Sequence, residues 1–178
     1  MSRSNPYKKK KRVAKKTMLI YGEGLNERVF LEYLKLLYSP KNVSIKVRNG
    51  KGGSPLNIVV DAVNEWGSFD KKIVVLDNDR AGKEILAAEL LAGKRGIKVV
   101  KNYPCLEATL LKILESKPHN DKSSLWFKKE FESKYMEKKR RGNLVEYSKV
   151  FSKKTINNAR KKIKELDLLI SIIENANE

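Results

Sequence analysis

Four short apolar runs, each followed by a segment of helical character, occupy residues 17–116, and this alternation restricts the fold more than any other feature of the chain. The runs are Thr17–Glu23 (TMLIYGE), Val43–Val47 (VSIKV), Lys72–Asp77 (KIVVLD) and Ile97–Val100 (IKVV). The first and third are continuously apolar over a strand's length, and the second alternates apolar with polar, as a strand does. Between them, Asn26–Tyr38 places Val29, Phe30, Tyr33, Leu34 and Leu37 at helical spacing. Pro55 suits the first turn of a helix running through Trp66, and Pro104 that of a helix reaching about Glu115. Gly82–Leu91 reads as a further helix, and the glycines of Asn49–Pro55 (NGKGGSP) mark a loop. Regular alternation of strand and helix predicts an α/β fold, a parallel sheet sandwiched by helices. Ligands of such sheets bind beyond the carboxyl ends of the strands.

From Ser123 onward the chain reads as helical and mostly polar. Ser124–Met136 carries Trp126, Phe127, Phe131 and Tyr135 on roughly one side, and Thr155–Ile173 carries Ile156, Ala159, Ile163, Leu166, Ile170 and Ile173 at alternating spacings of three and four. That stripe needs a partner surface: the chain's own domain, or another subunit in a homodimer. The expected division is a basic tail over 1–16, an α/β domain over 17–116 and a basic helical extension over 117–178.

Charge follows this division. Residues 1–16 hold 8 basic side chains and no acidic one, residues 17–116 are net +3, residues 117–164 net +11, and the whole chain is net +18. The tail run Lys8, Lys9, Lys10, Lys11 and Arg12 has nothing apolar to bury and cannot fold alone. With the second cluster, Lys138, Lys139, Arg140 and Arg141, it reads as a phosphate-backbone contact, the alternative being a solubilising tail. A single cysteine, Cys105, and a single histidine, His119, exclude an internal disulfide and a cysteine-built zinc site. No apolar run approaches the ~20 residues of a membrane span. The expectation is a soluble, cytoplasmic protein with a polyanionic partner, a nucleic acid.

Acids are sparse in the middle region, yet several fall where ligands bind. Glu23 ends the first strand, and Glu27 lies in the first turn of the following helix. Asp77 and Asp79 end the third strand, where a spacing of two points both the same way. Glu107 opens the helix after the fourth strand. Helix-dipole complementarity accounts for Glu27 and Glu107, but not for Glu23 with Asp77 and Asp79. Carboxylates brought together repel unless a cation joins them, and oxygen ligands favour magnesium, manganese or calcium over zinc.

The stretches Tyr21-Gly22-Glu23-Gly24-Leu25-Asn26-Glu27 and Val74-Val75-Leu76-Asp77-Asn78-Asp79 resemble the TOPRIM domain of topoisomerases, primases and related nucleases. Tyr103-Pro104-Cys105-Leu106-Glu107 is similar to the Asn-Pro-Cys-Phe-Glu motif of RloB-like proteins, a TOPRIM group of bacterial restriction and abortive-infection loci, akin to overcoming-lysogenization-defect nucleases. Asn26 and Tyr103 stand where that group often has threonine and asparagine. The resemblance implies a Rossmannoid TOPRIM sheet over about residues 17–116. It implies Glu23, Asp77 and Asp79 as catalytic residues, and Glu23, Glu27, Asp77, Asp79 and Glu107 as ligands of Mg2+ or Mn2+. It further implies phosphodiester hydrolysis of DNA or RNA in anti-phage defence, with a partner ATPase encoded nearby.

Two other readings stay open: a TOPRIM scaffold that grips nucleic acid without cutting it, and a phosphate-accepting receiver-like domain around Asp77. Clustered acids disfavour the first, because they repel phosphate. The net charge and the missing threonine and lysine pattern disfavour the second. Lys83 and Lys101 are the nearest cations by sequence to the acids. Cys105, with no histidine nearby, reads as a small buried residue, and Trp126, Phe127 and Tyr135 as core aromatics with base stacking as the alternative. The loop Asn49–Ser54 lacks phosphate-loop spacing and reads as a plain connector, with a flexible loop near the substrate groove as the alternative.

Overall fold

The computed structural model describes residues 15–50, 52–79, 82–115 and 121–178. Lys8, Lys9, Lys10, Lys11, Arg12 and His119 lie outside the described residues. The expected alternation is present: β1 (Lys16–Gly22), α1 (Leu25–Tyr38), β2 (Val43–Asn49), α2 (Pro55–Asn64), β3 (Lys71–Asp77), α3 (Gly82–Lys94), β4 (Ile97–Asn102) and α4 (Leu106–Glu115). The helical region that follows contains α5 (Ser124–Lys134), a 3-10 turn (Lys138–Arg140), α6 (Leu144–Val150), α7 (Lys153–Arg160) and α8 (Lys164–Glu174).

All neighbouring strands are parallel, in the order β2-β1-β3-β4. The alternation of side chains along each strand divides the core in two. Met18, Ile20, Ile73, Val75 and Val100 face one layer, with Val43, Ile45 and Val47. Leu19, Tyr21, Val74, Leu76 and Ile97 face the other, where α2 and α3 supply Ile58, Val59, Ala62, Ile85, Ala88 and Ala92. Because β1 and β3 are apolar on both sides, they occupy the centre of the sheet, and alternating β2 takes an edge. From β1 the chain winds outward to β2, and from β3 outward the other way to β4. The reversal leaves a crevice at the carboxyl ends of β1 and β3, where open α/β sheets bind ligands.

Several boundaries differ from expectation. Helix α2 stops at Asn64, so Trp66 falls beyond it and is 89% exposed. Pro104 is not the first residue of α4. The Tyr103–Pro104 bond is cis, and the helix opens two residues later at Leu106. The stripe of Ile156, Ala159, Ile163, Leu166, Ile170 and Ile173 is split between α7, the N-cap of α8 (Ile163) and α8, yet every member is buried in the same core as Met18 and Ile20. The chain's own domain is therefore its partner surface. Phe127 and Phe131 of α5 join that core, with Trp126 and Tyr135 packed partly against it. Tyr33 of α1 donates a hydrogen bond to the Phe151 carbonyl, tying the helical region to the sheet layer. Among the described residues no helix is long and apolar enough to cross a membrane.

Candidate metal centre and its cleft

Glycine shapes the entry to the crevice. A Cβ on Gly22 would lie 2.8 Å from Glu27 Cβ and 3.2 Å from Leu31 Cδ1, so only glycine lets α1 start this close to the end of β1. The next residue, Glu23, turns into the crevice, where its Oε2 accepts a hydrogen bond from the Asp77 backbone N–H at 3.4 Å. Glu27 reaches back to the start of α1, and its Oε2 accepts from Gly24 N at 2.9 Å. This local bond fixes a carboxylate that also lines the cleft.

Asp77 is the last residue of β3 and is 5% exposed. Its Oδ1 accepts from Leu106 N at 2.9 Å and from Asn102 Nδ2 at 3.3 Å, joining β3 to β4 and to the start of α4. Glu107, in the first turn of α4, is 3% exposed. Its Oε1 accepts from Arg141 Nη1 at 3.0 Å, whereas its Oε2 is buried and has no hydrogen-bond partner. One ligand atom from each of Asp77, Cys105 and Glu107 lies within 4.8 Å of the others.

The carboxylates, but not Cys105, line one open cleft of about 530 Å³. Glu23, Glu27, Asp77, Glu107 and Glu132 contribute the acids, and Lys128, Lys138 and Arg141 the cations; Glu132 Oε2 lies 3.7 Å from Arg141 Nη2. Gly52, from the glycine loop, forms part of the rim, with a φ of 80° that glycine adopts without strain. The spacing of Asp77 and Asp79 predicts a shared direction. The strand ends at Asp77, so the period of two stops there, and Asp79 is exposed and outside the cleft lining.

The electrostatics are those of a site short of positive charge. Burial pushes the Asp77 carboxyl up to about 8, and the nearby Glu27, Glu23 and Glu107 raise it further. Burial likewise raises Glu27 to about 6, with contributions from Glu107 and Glu23 opposed by its backbone hydrogen bonds. Cys105 is buried, which pushes its thiol up to about 12 and keeps it protonated. Burial works against the Lys128 ammonium, but Glu107, Asp77 and Cys105 outweigh it and hold the group charged.

Tested against this geometry, a divalent cation fits. The close group offers two carboxylates, Asp77 and Glu107, beside the Cys105 thiol; Glu23 and Glu27 add carboxylate oxygens, the donors hard cations prefer, along the same cleft, and the buried Glu107 Oε2 has no hydrogen-bond partner. The structure thus brings together Glu23, Glu27, Asp77 and Glu107, with Asp79 apart. Lys83 lies exposed on α3, and Lys101 is engaged by Glu89 at 2.5 Å, so neither takes the position that Lys128 holds in the cleft. Arg141 departs from its neighbours in the basic run: it is 4% exposed and bound to Glu107, whereas Lys138, Lys139 and Arg140 face solvent. Sequence reasoning missed Lys128 and the buried role of Arg141, because nothing in their spacing separates them from the surrounding surface cations. Cys105 carried a signal in its position two residues before Glu107. Comparison with known protein families, with curated proteins and with solved structures gives no match.

Proposed function

We propose that this chain is a divalent-cation-dependent hydrolase of nucleic-acid phosphodiester bonds. The observation that carries the reading is the convergence of Glu23, Glu27, Asp77 and Glu107 on one cleft that also holds Lys128 and Lys138. Acids alone would repel a phosphate, and cations alone would serve simple binding. The two together suit a centre where a bound cation meets a polyanion.

Asp77, Glu107, Glu23 and Glu27 would hold Mg2+ or Mn2+, with Asp79 outside the lining and Cys105 as a neighbour whose protonated thiol is the weakest donor of the set. Such a cation, when bound, lowers the pKa of water and offsets charge on the attacking and leaving oxygens. The chain's own residues do the rest. The Asp77 carboxylate is oriented through Oδ1 by Leu106 N and Asn102. Glu23 stands beside it, positioned to take a proton from the attacking water. The Lys128 and Lys138 ammonium groups line the path a phosphate takes into the cleft and balance its charge. The exposed Lys138, Lys139 and Arg140, and in the sequence Lys8–Arg12, supply backbone contacts that position the substrate. The RloB-like motifs support a role as effector of a bacterial defence locus with a partner ATPase.

The test is incubation of plasmid, single-stranded DNA and tRNA with Mg2+ or Mn2+, against a chelator control. Cleavage that the chelator stops is the expected result. Glu23→Gln and Asp77→Asn should each lower the rate at least about 100-fold, a loss of roughly 2.7 kcal/mol in transition-state stabilisation, with nucleic-acid binding retained. An unchanged rate in Asp77→Asn would remove the catalytic assignment. Binding without cleavage under every condition would favour the non-catalytic module.

A further inference from the structure

Arg141 caps the exposed 3-10 turn Lys138–Arg140, yet its own side chain is buried. Three acceptors fasten the guanidinium. Nε donates to the Met136 carbonyl at 3.3 Å, Nη2 to the Lys128 carbonyl at 3.1 Å, and Nη1 to Glu107 Oε1 at 3.0 Å. The Phe131 ring lies 5.3 Å from the guanidinium carbon and adds a cation–π contact. The two carbonyls and the ring hold the group independently of Glu107, so it is a fixed donor to which the carboxylate conforms.

An arginine facing a carboxylate commonly donates to both oxygens at once. Here the second arm is spent on the Lys128 carbonyl and only Oε1 is engaged. Oε2 is left buried without a hydrogen-bond partner, in a residue clustered with Asp77 and Cys105. We infer that Arg141 is a positioning residue of the candidate metal centre: it grips Glu107 by Oε1 and so sets Oε2 as the oxygen offered to a divalent cation. The inference rests on the metal-centre reading proposed above. It makes the helical region a working part of the site, because the residue that aims a ligand of the α/β domain comes from beyond α5.

The experiment is Mn2+ titration calorimetry on the full chain, for wild type, Arg141→Gln, Arg141→Lys, Glu107→Gln and the double variant Arg141→Gln/Glu107→Gln. Circular dichroism checks the fold of each. Arg141→Gln should weaken Mn2+ binding about 10- to 100-fold, the usual effect of removing a group that orients a metal ligand. Arg141→Lys keeps the charge but cannot reach all three acceptors, and should show part of that loss. The double variant should bind no more weakly than Glu107→Gln alone, since without the ligand there is nothing to aim. Wild-type affinity in folded Arg141→Gln, or losses that simply add in the double variant, would overturn the inference. If Arg141→Gln does not fold, Arg141→Lys decides, and wild-type affinity there overturns it. Absence of Mn2+ binding by the wild type would instead remove the metal centre itself, and the inference with it.

Discussion

Asp77 and Glu27 show what burial and crowding do to neighbouring acids. Both carboxyls titrate far above their ordinary values, Asp77 at about 8 and Glu27 at about 6, chiefly because burial penalises the charged form. In the unfolded chain they titrate near 3.8 and 4.5. The folded state therefore binds protons more tightly than the unfolded one, and stability falls as pH rises. The contribution is fully present below about 4 and is lost progressively up to about 8, the Glu27 share being gone near 6. In chelator, the urea midpoint of the wild type should drop between pH 5 and pH 8. Asp77→Asn, which cannot ionise there, should show a flatter profile, and Mn2+ should restore the wild type at pH 8 by binding only the folded state. Parallel profiles for wild type and Asp77→Asn would show that Asp77 is not the group responsible. The sequence located these acids because strand ends and helix starts are readable from periodicity. It could not show that Asp79 parts from Asp77, which depends on where β3 stops, nor that Cys105 shares the cluster, which depends on the path through Pro104 into α4.

Among the elements, the strands were the most legible, because an apolar run of fixed length bounded by glycine or charge has few other readings. Helix ends were less so. Trp66 was expected to close α2, but the helix stops at Asn64 and the side chain stands in solvent. The helical region was hardest, since its helices are short and owe their stability to packing. What the stripe from Ile156 to Ile173 packs against was left undecided by spacing alone; it lies under the α1 and α4 face of the sheet. Its energetic weight is testable. Ile170 is fully buried in α8, so Ile170→Ala should cost about 2–5 kcal/mol, through lost transfer energy and the cavity left behind. Denaturation should remain one transition, followed equally by far-UV circular dichroism and by amide exchange of the β1 and β3 residues, because α8 shares its core with β1 and β3. An early, separate loss of helix signal would mean that the extension is an independent unit.

At the scale of the whole molecule, the proposed gripping and cutting roles fall largely on different residues, with Lys138 common to both. The cleft carries the acids, whereas the surplus positive charge lies in the segments before and after the α/β domain. Lys139 pairs with Glu137 at 2.9 Å and Arg140 with Glu146 at 3.7 Å, but such exposed pairs are weak and give way to phosphate. Each cation that neutralises a duplex phosphate releases a counterion and contributes about 0.9 to the slope of log affinity against log salt. Replacing Lys138, Lys139 and Arg140 by alanine should therefore lower that slope by up to about 2.7. Deleting residues 1–12 removes Arg3, Lys8, Lys9, Lys10, Lys11 and Arg12, and should lower it by roughly 3 if half of these touch phosphate. Mn2+ affinity should be unchanged by the deletion and nearly so by the triple replacement, because Arg141 stays on Glu107 through its own anchors. Binding measured at several salt concentrations, alongside Mn2+ titration, separates the two properties. A salt slope untouched by both changes would assign the basic segments to solubility, and a collapse of Mn2+ affinity in the tail deletion would show that tail and metal centre are not independent.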